Sequence, residues 1–318
     1  MRLNVRAPGP AGWTALAAAV LALAVIGLLV ATRGLAATDA PVAEGDSAGH
    51  YREPAALGAA SAQAMRSAVR TTVAREPVQP VSRGLRIEAL PASEPLQAAS
   101  MAPSPAVGPL FYTGQGDPDH GCTASVVHSP SGNLLITAAH CVHTGGFRTD
   151  LAFVPGYHDG EAPYGVWVPT AIDVAPQWTD SRDPDYDVAF VRVRSTEGDA
   201  QIERVTGAEQ IRFDPPVHRP ARVLGYPNGS EQPLGCQNTT TTEGPTQLRF
   251  DCEGLPNGTS GSPVLTDVDA ATGLGTVNGV LGGKDEGGDD ETSYSSYFGP
   301  AVEALYHRAA NGSQPYTQ

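Results

Sequence analysis

Leu134-Leu135-Ile136-Thr137-Ala138-Ala139-His140-Cys141 is a short apolar run that ends on two small residues, a histidine and a cysteine. Such a run reads as a strand buried on both faces, and the alanines leave the following turn little freedom. A histidine there is rigidly held. A lone histidine in such a place is most simply a satisfied core residue. Cys122 lies upstream, and a bridge from it to Cys141 would staple the turn of His140 onto the preceding strand.

Outward from this segment, short β-branched runs alternate with Gly, Pro and Asp clusters. They lie at 122–128, 133–137, 151–154, 165–171, 188–193, 221–225, 247–252, 263–265 and 276–281. That spacing predicts an all-β barrel or sandwich. Only Pro300 to Ala310 has helical periodicity, with Val302, Leu305 and Tyr306 able to face a core. The 318 residues contain 36 Gly and 28 Pro, a composition suited to turns and short strands rather than to a helical bundle. About 210 residues after the leader exceed one small barrel and suit two.

Lys and Arg number 20 against 34 Asp and Glu, a formal charge of -14, which excludes nucleic acid as the main partner because phosphate binding needs excess cations. The N-terminus carries Arg2 and Arg6, then an uncharged apolar run from roughly Trp13 to Ala31. Residues 1–37 read as an export signal cut near Ala37, or as a retained signal anchor, in which case the protein also meets the membrane. Residues 38–105 are rich in Ala, Pro, Ser and Glu and do not look like a core. Within them Glu53 to Arg75 has helical propensity with a thin apolar face of Leu57, Met65, Val69 and Val73. This leader reads either as a propeptide or as a tether. From Val107 onward 11 cations face 27 anions, so the C-terminal domain carries about -16. All four cysteines lie there, an even number compatible with two bridges in an oxidising compartment.

Two further segments carry chemistry. Asp185-Tyr186-Asp187-Val188-Ala189-Phe190-Val191 sets a carboxylate at the mouth of an apolar strand, where it needs a partner. Asp183 and Asp185 read as turn or cap residues, and Asp187 as the buried one. Gly258-Thr259-Ser260-Gly261-Ser262-Pro263 places a serine between glycines, in a turn whose amides can converge on one point. Each segment alone is weak.

Together, the order of TAAHC, YDVAF and GTSGSP resembles the chymotrypsin-like serine endopeptidases, with GTSGSP closest to the V8-like, glutamyl-endopeptidase branch of secreted bacterial proteases. The resemblance covers residues 106–318. It implies two perpendicular six-stranded Greek-key β-barrels, about 106–200 and 201–300, followed by a helix at about 300–310. It further implies a Ser-His-Asp triad of Ser260, His140 and Asp187, an oxyanion hole from the N–H groups of Gly258 and Ser260, and polypeptide substrates. Neither metal nor organic cofactor is needed for that chemistry, and a monomer suffices. His128 and His143 match no motif and read as surface or structural residues.

The chain departs from the pattern in places. Where trypsin and chymotrypsin carry an Asp that pairs with a newly made N-terminal amine, this sequence has Thr259, so that zymogen switch is in doubt. Arg83, Arg86 and a point near Val107 are cleavage candidates. At the position of trypsin's pocket aspartate stands Gly254, beside Leu255, and where glutamyl endopeptidases carry a pocket histidine stands Leu281. Gly282 and Gly283 are candidates for the edge that pairs with substrate backbone. The acidic run Asp285 to Glu291 reads as solvated charge, with attraction of a basic peptide or calcium as the sharper alternative. Cys236 and Cys252 form the remaining cysteine pair, beside the nucleophile loop. A non-catalytic protease-fold binding or membrane-anchored protein is the competing reading. An α/β-type esterase is disfavoured because that fold runs Ser, acid, His.

Overall fold

The computed structural model describes residues 41–71, 87–114 and 116–312. The export segment 1–37, Val73, Arg83 and Arg86 lie outside the described residues. The first half of the described chain runs β1 (Val42–Ala43), β2 (His50–Arg52), α1 (Ala55–Ala68), β3 (Ala99–Ser100), β4 (Val107–Tyr112), β5 (Asp119–Val127), β6 (Leu134–Thr137), α2 (Ala139–Val142), β7 (Phe147–Arg148), β8 (Leu151–Phe153), β9 (Trp167–Val174), α3 (Pro176–Ser181) and β10 (Ala189–Ser195). The second runs α4 (Ile202–Thr206), β11 (Gln210–Ile211), β12 (Pro220–Gly225), β13 (Leu234–Thr239), β14 (Thr241–Glu243), β15 (Gln247–Asp251), β16 (Pro263–Thr266), β17 (Thr276–Val280), β18 (Thr292–Ser296) and α5 (Pro300–Asn311).

Six antiparallel strands close the first barrel in the order β10, β6, β5, β4, β8, β9, with β9 returning to β10. Strand β6 explains why its sequence is continuously apolar. Leu135 points into the barrel core with Ala124, Ile172 and Val191, while Leu134 and Ile136 pack outside it against Val277, Val280 and the C-terminal helix. A strand buried on both faces has no solvent side on which to alternate. The second unit consists of a sheet in the order β11, β17, β16, β12, β13, β3 and a smaller sheet of β14, β15, β18. Both enclose one core of Val223, Cys236, Phe250, Leu255, Val264 and Leu281. This is the all-β, two-barrel architecture with a terminal helix, in which Val302, Leu305 and Tyr306 are buried as the periodicity predicts.

The leader departs from its composition. Strand β2 pairs with β9, Tyr51 opposite Ile172, and β3 pairs with β13, Ala99 opposite Gly235. Helix α1 stops at Ala68, because Val69 is already extended, and its thin apolar face still packs. Met65 is fully buried in a cluster with Val107, Phe111, Ala152, Val154 and Val168. Small residues make this possible: Gly58 and Ser61 are buried on the same face and let the helix approach closely, while Leu57 stays exposed. The apolar surface is thus shared with the barrel rather than carried by the leader. His50 also reaches Asp173, which is fully buried, 3.0 Å away, and Arg308 of α5 approaches the same carboxylate at 3.2 Å. One acid therefore joins leader, barrel and terminal helix. Val107 is buried and is the first residue of β4, so a cleavage site there would sit at the start of a core strand.

Glu209 is fully buried, with Gly275 N–H donating to Oε2 and Oε1 unpartnered. Desolvation pushes its carboxyl up to about 8.

Two outcomes follow for stability. Met65→Ala removes a buried side chain and should cost about 2–5 kcal/mol, read as a lower midpoint in denaturant unfolding. The folded state holds the Glu209 proton more tightly than the unfolded state, so this group's contribution falls as pH rises from its ordinary range towards 8. Glu209→Gln should flatten that part of the stability profile, measured by thermal unfolding between pH 5 and 8.

Candidate active site

His140 occupies the first turn after β6, on α2, where Ala138 and Ala139 are fully buried. The Cys122–Cys141 disulfide ties this turn to β5, and Cys236–Cys252 ties β13 to the segment that leads into the nucleophile loop. Asp187 follows a 3-10 turn at Pro184–Tyr186 and is fully buried. The two preceding acids are the turn residues their positions suggest: Asp183 Oδ1 accepts from Asp185 N at 3.1 Å, and Asp185 Oδ1 from Gln247 Nε2 at 2.8 Å.

The Asp187 carboxylate accepts three hydrogen bonds. Oδ1 takes His140 N at 2.9 Å, and Oδ2 takes His140 Nδ1 at 2.8 Å and Gly283 N at 2.8 Å. Because a carboxylate only accepts, Nδ1 carries the proton and Nε2 of neutral His140 is left as a base. Burial opposes protonation of this ring, but Asp187 outweighs it, and the His140 pKa sits above the ordinary histidine value.

The Ser260 loop is set by bonds to both barrels. Thr259 closes a local turn, its N and Oγ1 donating to Pro256 O at 3.1 and 2.7 Å. Thr123 of β5 donates from Oγ1 to Gly258 O at 3.0 Å and from N to Ser260 O at 2.8 Å. With both carbonyls engaged, the N–H groups of Gly258 and Ser260 donate to nothing among the described residues. Two such free donors at one turn are what an oxyanion hole requires. Gly258 has φ +99°, and a Cβ there would stand 2.2 Å from Asn228 N, so only glycine fits. Gly261 has φ +82°, and its Cβ would meet Thr137 Oγ1 at 2.2 Å and Ala138 N at 3.1 Å. The serine loop therefore docks on the strand end that carries His140.

A cavity of about 100 Å³ opens beside Ser260, lined by Leu255, Asn257 and Leu281 and by the segment from Glu286 to Asp290. Of the five residues the sequence suggests for substrate binding, Leu255 and Leu281 line this cavity. Gly254 does not line it; its N–H donates to Asp290 O at 2.8 Å. Gly282 and Gly283 sit beneath Asp187: Gly283 N serves that carboxylate and Gly282 N donates to Tyr294 O. Their N–H groups are thus used inside the protein. The sequence reading missed Thr123 and Ser296, whose Oγ accepts Asp187 N at 3.1 Å, because neither has a local signature. His128 pairs with Glu203 at 2.6 Å on the surface, and His143 is buried edge-on against Phe147.

Comparison with known proteins places this geometry. Among solved structures, the chain is similar to the protease Anisep from Arthrobacter nicotinovorans, with 26% identity, a TM-score of 0.60, and coverage of 68% of this chain and 100% of that one. A thermostable serine protease from an extremophilic microorganism shares 26% identity at a TM-score of 0.58, covering 66% of this chain and 99% of that one. A Glu endopeptidase at 19% identity and TM-score 0.53, covering 68% and 97%, shares the fold. The fold is that of the chymotrypsin-like serine proteases. Residues 122–274 match the trypsin-like peptidase domain, and the chain carries that domain. A curated relative, an extracellular metalloprotease of Bacillus subtilis (strain 168), is 27% identical over 110 residues, which span only 34% of this chain and 34% of that protein. The name of that relative implies a metal. The group of potential ligands found among the described residues is Cys122, His140 and Cys141, and it does not fit one, because its two sulfurs are joined in a disulfide and supply no thiolate.

Were His140 to serve as a general base, its protonated form could not accept a proton, and with its pKa raised kcat/KM should fall on acidification through a midpoint above the ordinary histidine value. Asp187→Asn should lower kcat roughly 10⁴-fold and move that midpoint down, as read from pH–rate profiles on a peptide substrate.

Proposed function

We propose that the protein is an exported serine endopeptidase that cleaves polypeptides through an acyl-enzyme intermediate. The observation that carries this reading is the buried Asp187–His140 pair, with Nδ1 committed to the carboxylate, beside a serine turn that holds two undonated N–H groups. Ser260 Oγ attacks the scissile carbonyl while His140 Nε2 takes its proton. The tetrahedral oxyanion lies against Gly258 N and Ser260 N. His140 then returns the proton to the leaving amine, and water repeats the sequence on the ester. Asp187 orients the ring and stabilises the imidazolium. This chemistry draws on protein groups alone.

Export is supported by the apolar N-terminal segment, by the two disulfides and by the extracellular relative. Among the described residues no helix is long and apolar enough to cross a membrane. The leader from Pro41 to Pro105 is proposed to remain with the working domain, since it supplies strands to both units and buries Met65.

Ser260→Ala should abolish both peptide hydrolysis and labelling by a serine-directed fluorophosphonate while leaving the unfolding midpoint close to that of the parent. Hydrolysis persisting in this variant would overturn the assignment.

A further inference from the structure

Gly258 carries one of the two undonated N–H groups, and it is also the residue of that turn with the most backbone freedom, at φ +99° and with no Cβ to limit rotation. A donor on such a residue points to one place only if the peptide planes on either side of it are held. Both are. The plane that contains Gly258 N–H has Asn257 O at its other end, and Asn228 N donates to that oxygen at 2.9 Å. The next plane has Gly258 O, which accepts from Thr123 Oγ1 at 3.0 Å and from no other donor among the described residues.

Thr123 has little freedom to give that bond up, because its side chain is fully buried. Its Oγ1 accepts Tyr226 N at 2.8 Å, which leaves the single hydroxyl proton for Gly258 O. Tyr226 is buried as well, and its Oη donates to Tyr157 O at 2.8 Å, so the donor that orients the hydroxyl is itself fixed to the segment between β8 and β9. The main chain of Thr123 is engaged separately: its N donates to Ser260 O at 2.8 Å and its O accepts Thr137 Oγ1 at 2.7 Å. One residue therefore holds the nucleophile's carbonyl by its amide and the Gly258 carbonyl by its side chain. Tyr226 and Asn228 belong to one loop after β12, so both planes around Gly258 are braced by that loop, one directly and the other through the Thr123 hydroxyl.

We propose that Thr123 is a positioning residue for peptide hydrolysis, its hydroxyl holding the Gly258 carbonyl and so aiming the Gly258 N–H at the place where the oxyanion forms. This rests on the peptidase reading and deepens it. Thr123 acts through Gly258 alone, and the aimed donor matters most once negative charge develops on the scissile carbonyl oxygen, so the effect belongs to kcat rather than to KM. Valine at this position has nearly the same shape but leaves Gly258 O and Tyr226 N without partners in a buried place, and the turn must rotate to satisfy them. The backbone bond from Thr123 N to Ser260 O survives that change, so the nucleophile keeps its own anchor.

The test compares the purified full chain with its Thr123→Val, Thr123→Ala and Thr123→Ser variants on one peptide substrate, with unfolding midpoints and fluorophosphonate labelling measured in parallel. Two inhibitors of the same peptide sequence are titrated: a boronic acid, which forms a tetrahedral adduct on Ser260, and a carboxamide, which forms none. Thr123→Val is expected to lower kcat about 10- to 100-fold, less than or equal to the loss of an oxyanion donor outright, with KM nearly unchanged. It should weaken the boronic acid by a similar factor and leave the carboxamide alone, and Thr123→Ser should restore most of kcat. Thr123→Ala, which also lacks the hydroxyl, reads the same way and decides the matter if the valine variant does not fold. Variants without the hydroxyl that keep the parent kcat, that raise KM as much as they lower kcat, or that weaken both inhibitors alike overturn the proposal, as does a serine variant no better than valine; each leaves the peptidase reading standing. A parent chain that neither hydrolyses peptide nor takes the label overturns both.

Discussion

The buried carboxylate of Asp187 is the constraint on which the rest of the site depends. A charge held away from water costs several kcal/mol unless it is paired and fully hydrogen-bonded. This carboxylate gets its donors from two places, His140 N and Nδ1 on the turn after β6, and Gly283 N on the segment after β17. The residue's own N–H is taken by Ser296 on β18. Satisfying one acid therefore brings the end of the first barrel against two strands of the second unit. Thr123 makes the reciprocal connection, since it lies on β5 and holds the carbonyls of Gly258 and Ser260. Asp187, His140 and the Ser260 loop are held by the same bonds that join the two halves.

What was legible in the sequence was what is local. His140, Asp187 and Ser260 announce themselves through their neighbours, a buried strand before the first, an apolar strand after the second and glycines around the third. The barrel strands follow for the same reason, because β6 is buried throughout and β10 opens on the buried apolar run Ala189, Phe190 and Val191. Strands β13 and β18 escaped notice, as LGCQNT and TSYSS are polar or small and owe their burial to the sheets around them. The packing of the leader was not legible for a related reason. Its alanines, glycine and serine carry little hydrophobicity, yet small side chains are what let α1 lie close to the barrel, where Met65 enters a cluster supplied almost entirely by other elements. Nor could the place of Asp290 in the cavity lining be read from spacing, because it is distant from Leu255 in sequence and is joined to that segment through Gly254 N.

Thr259 bears on how the site becomes ordered. In the trypsin pattern an aspartate at that position waits for a new N-terminal amine, and the oxyanion turn forms only after cleavage. Here the hydroxyl and N–H of Thr259 close on Pro256 O, Asn228 N holds Asn257 O at 2.9 Å, and Thr123 holds the two carbonyls beyond. Each bond is available as soon as the chain folds, and none needs a chain end. The leader adds to this ordering: Ala98 N donates to Glu253 O at 2.8 Å and Glu253 N to Leu96 O at 3.2 Å, while Glu253 follows the disulfide-bonded Cys252. The segment that feeds the nucleophile turn is thus clasped by the leader on one side and by the acidic loop on the other. Under the proposed activity, losing residues 96–98 would loosen the turn that must hold its amides in place before the transition state arrives. Under that same proposal a leader placed this way would support catalysis by its presence, the opposite of a pro-segment whose departure switches an enzyme on.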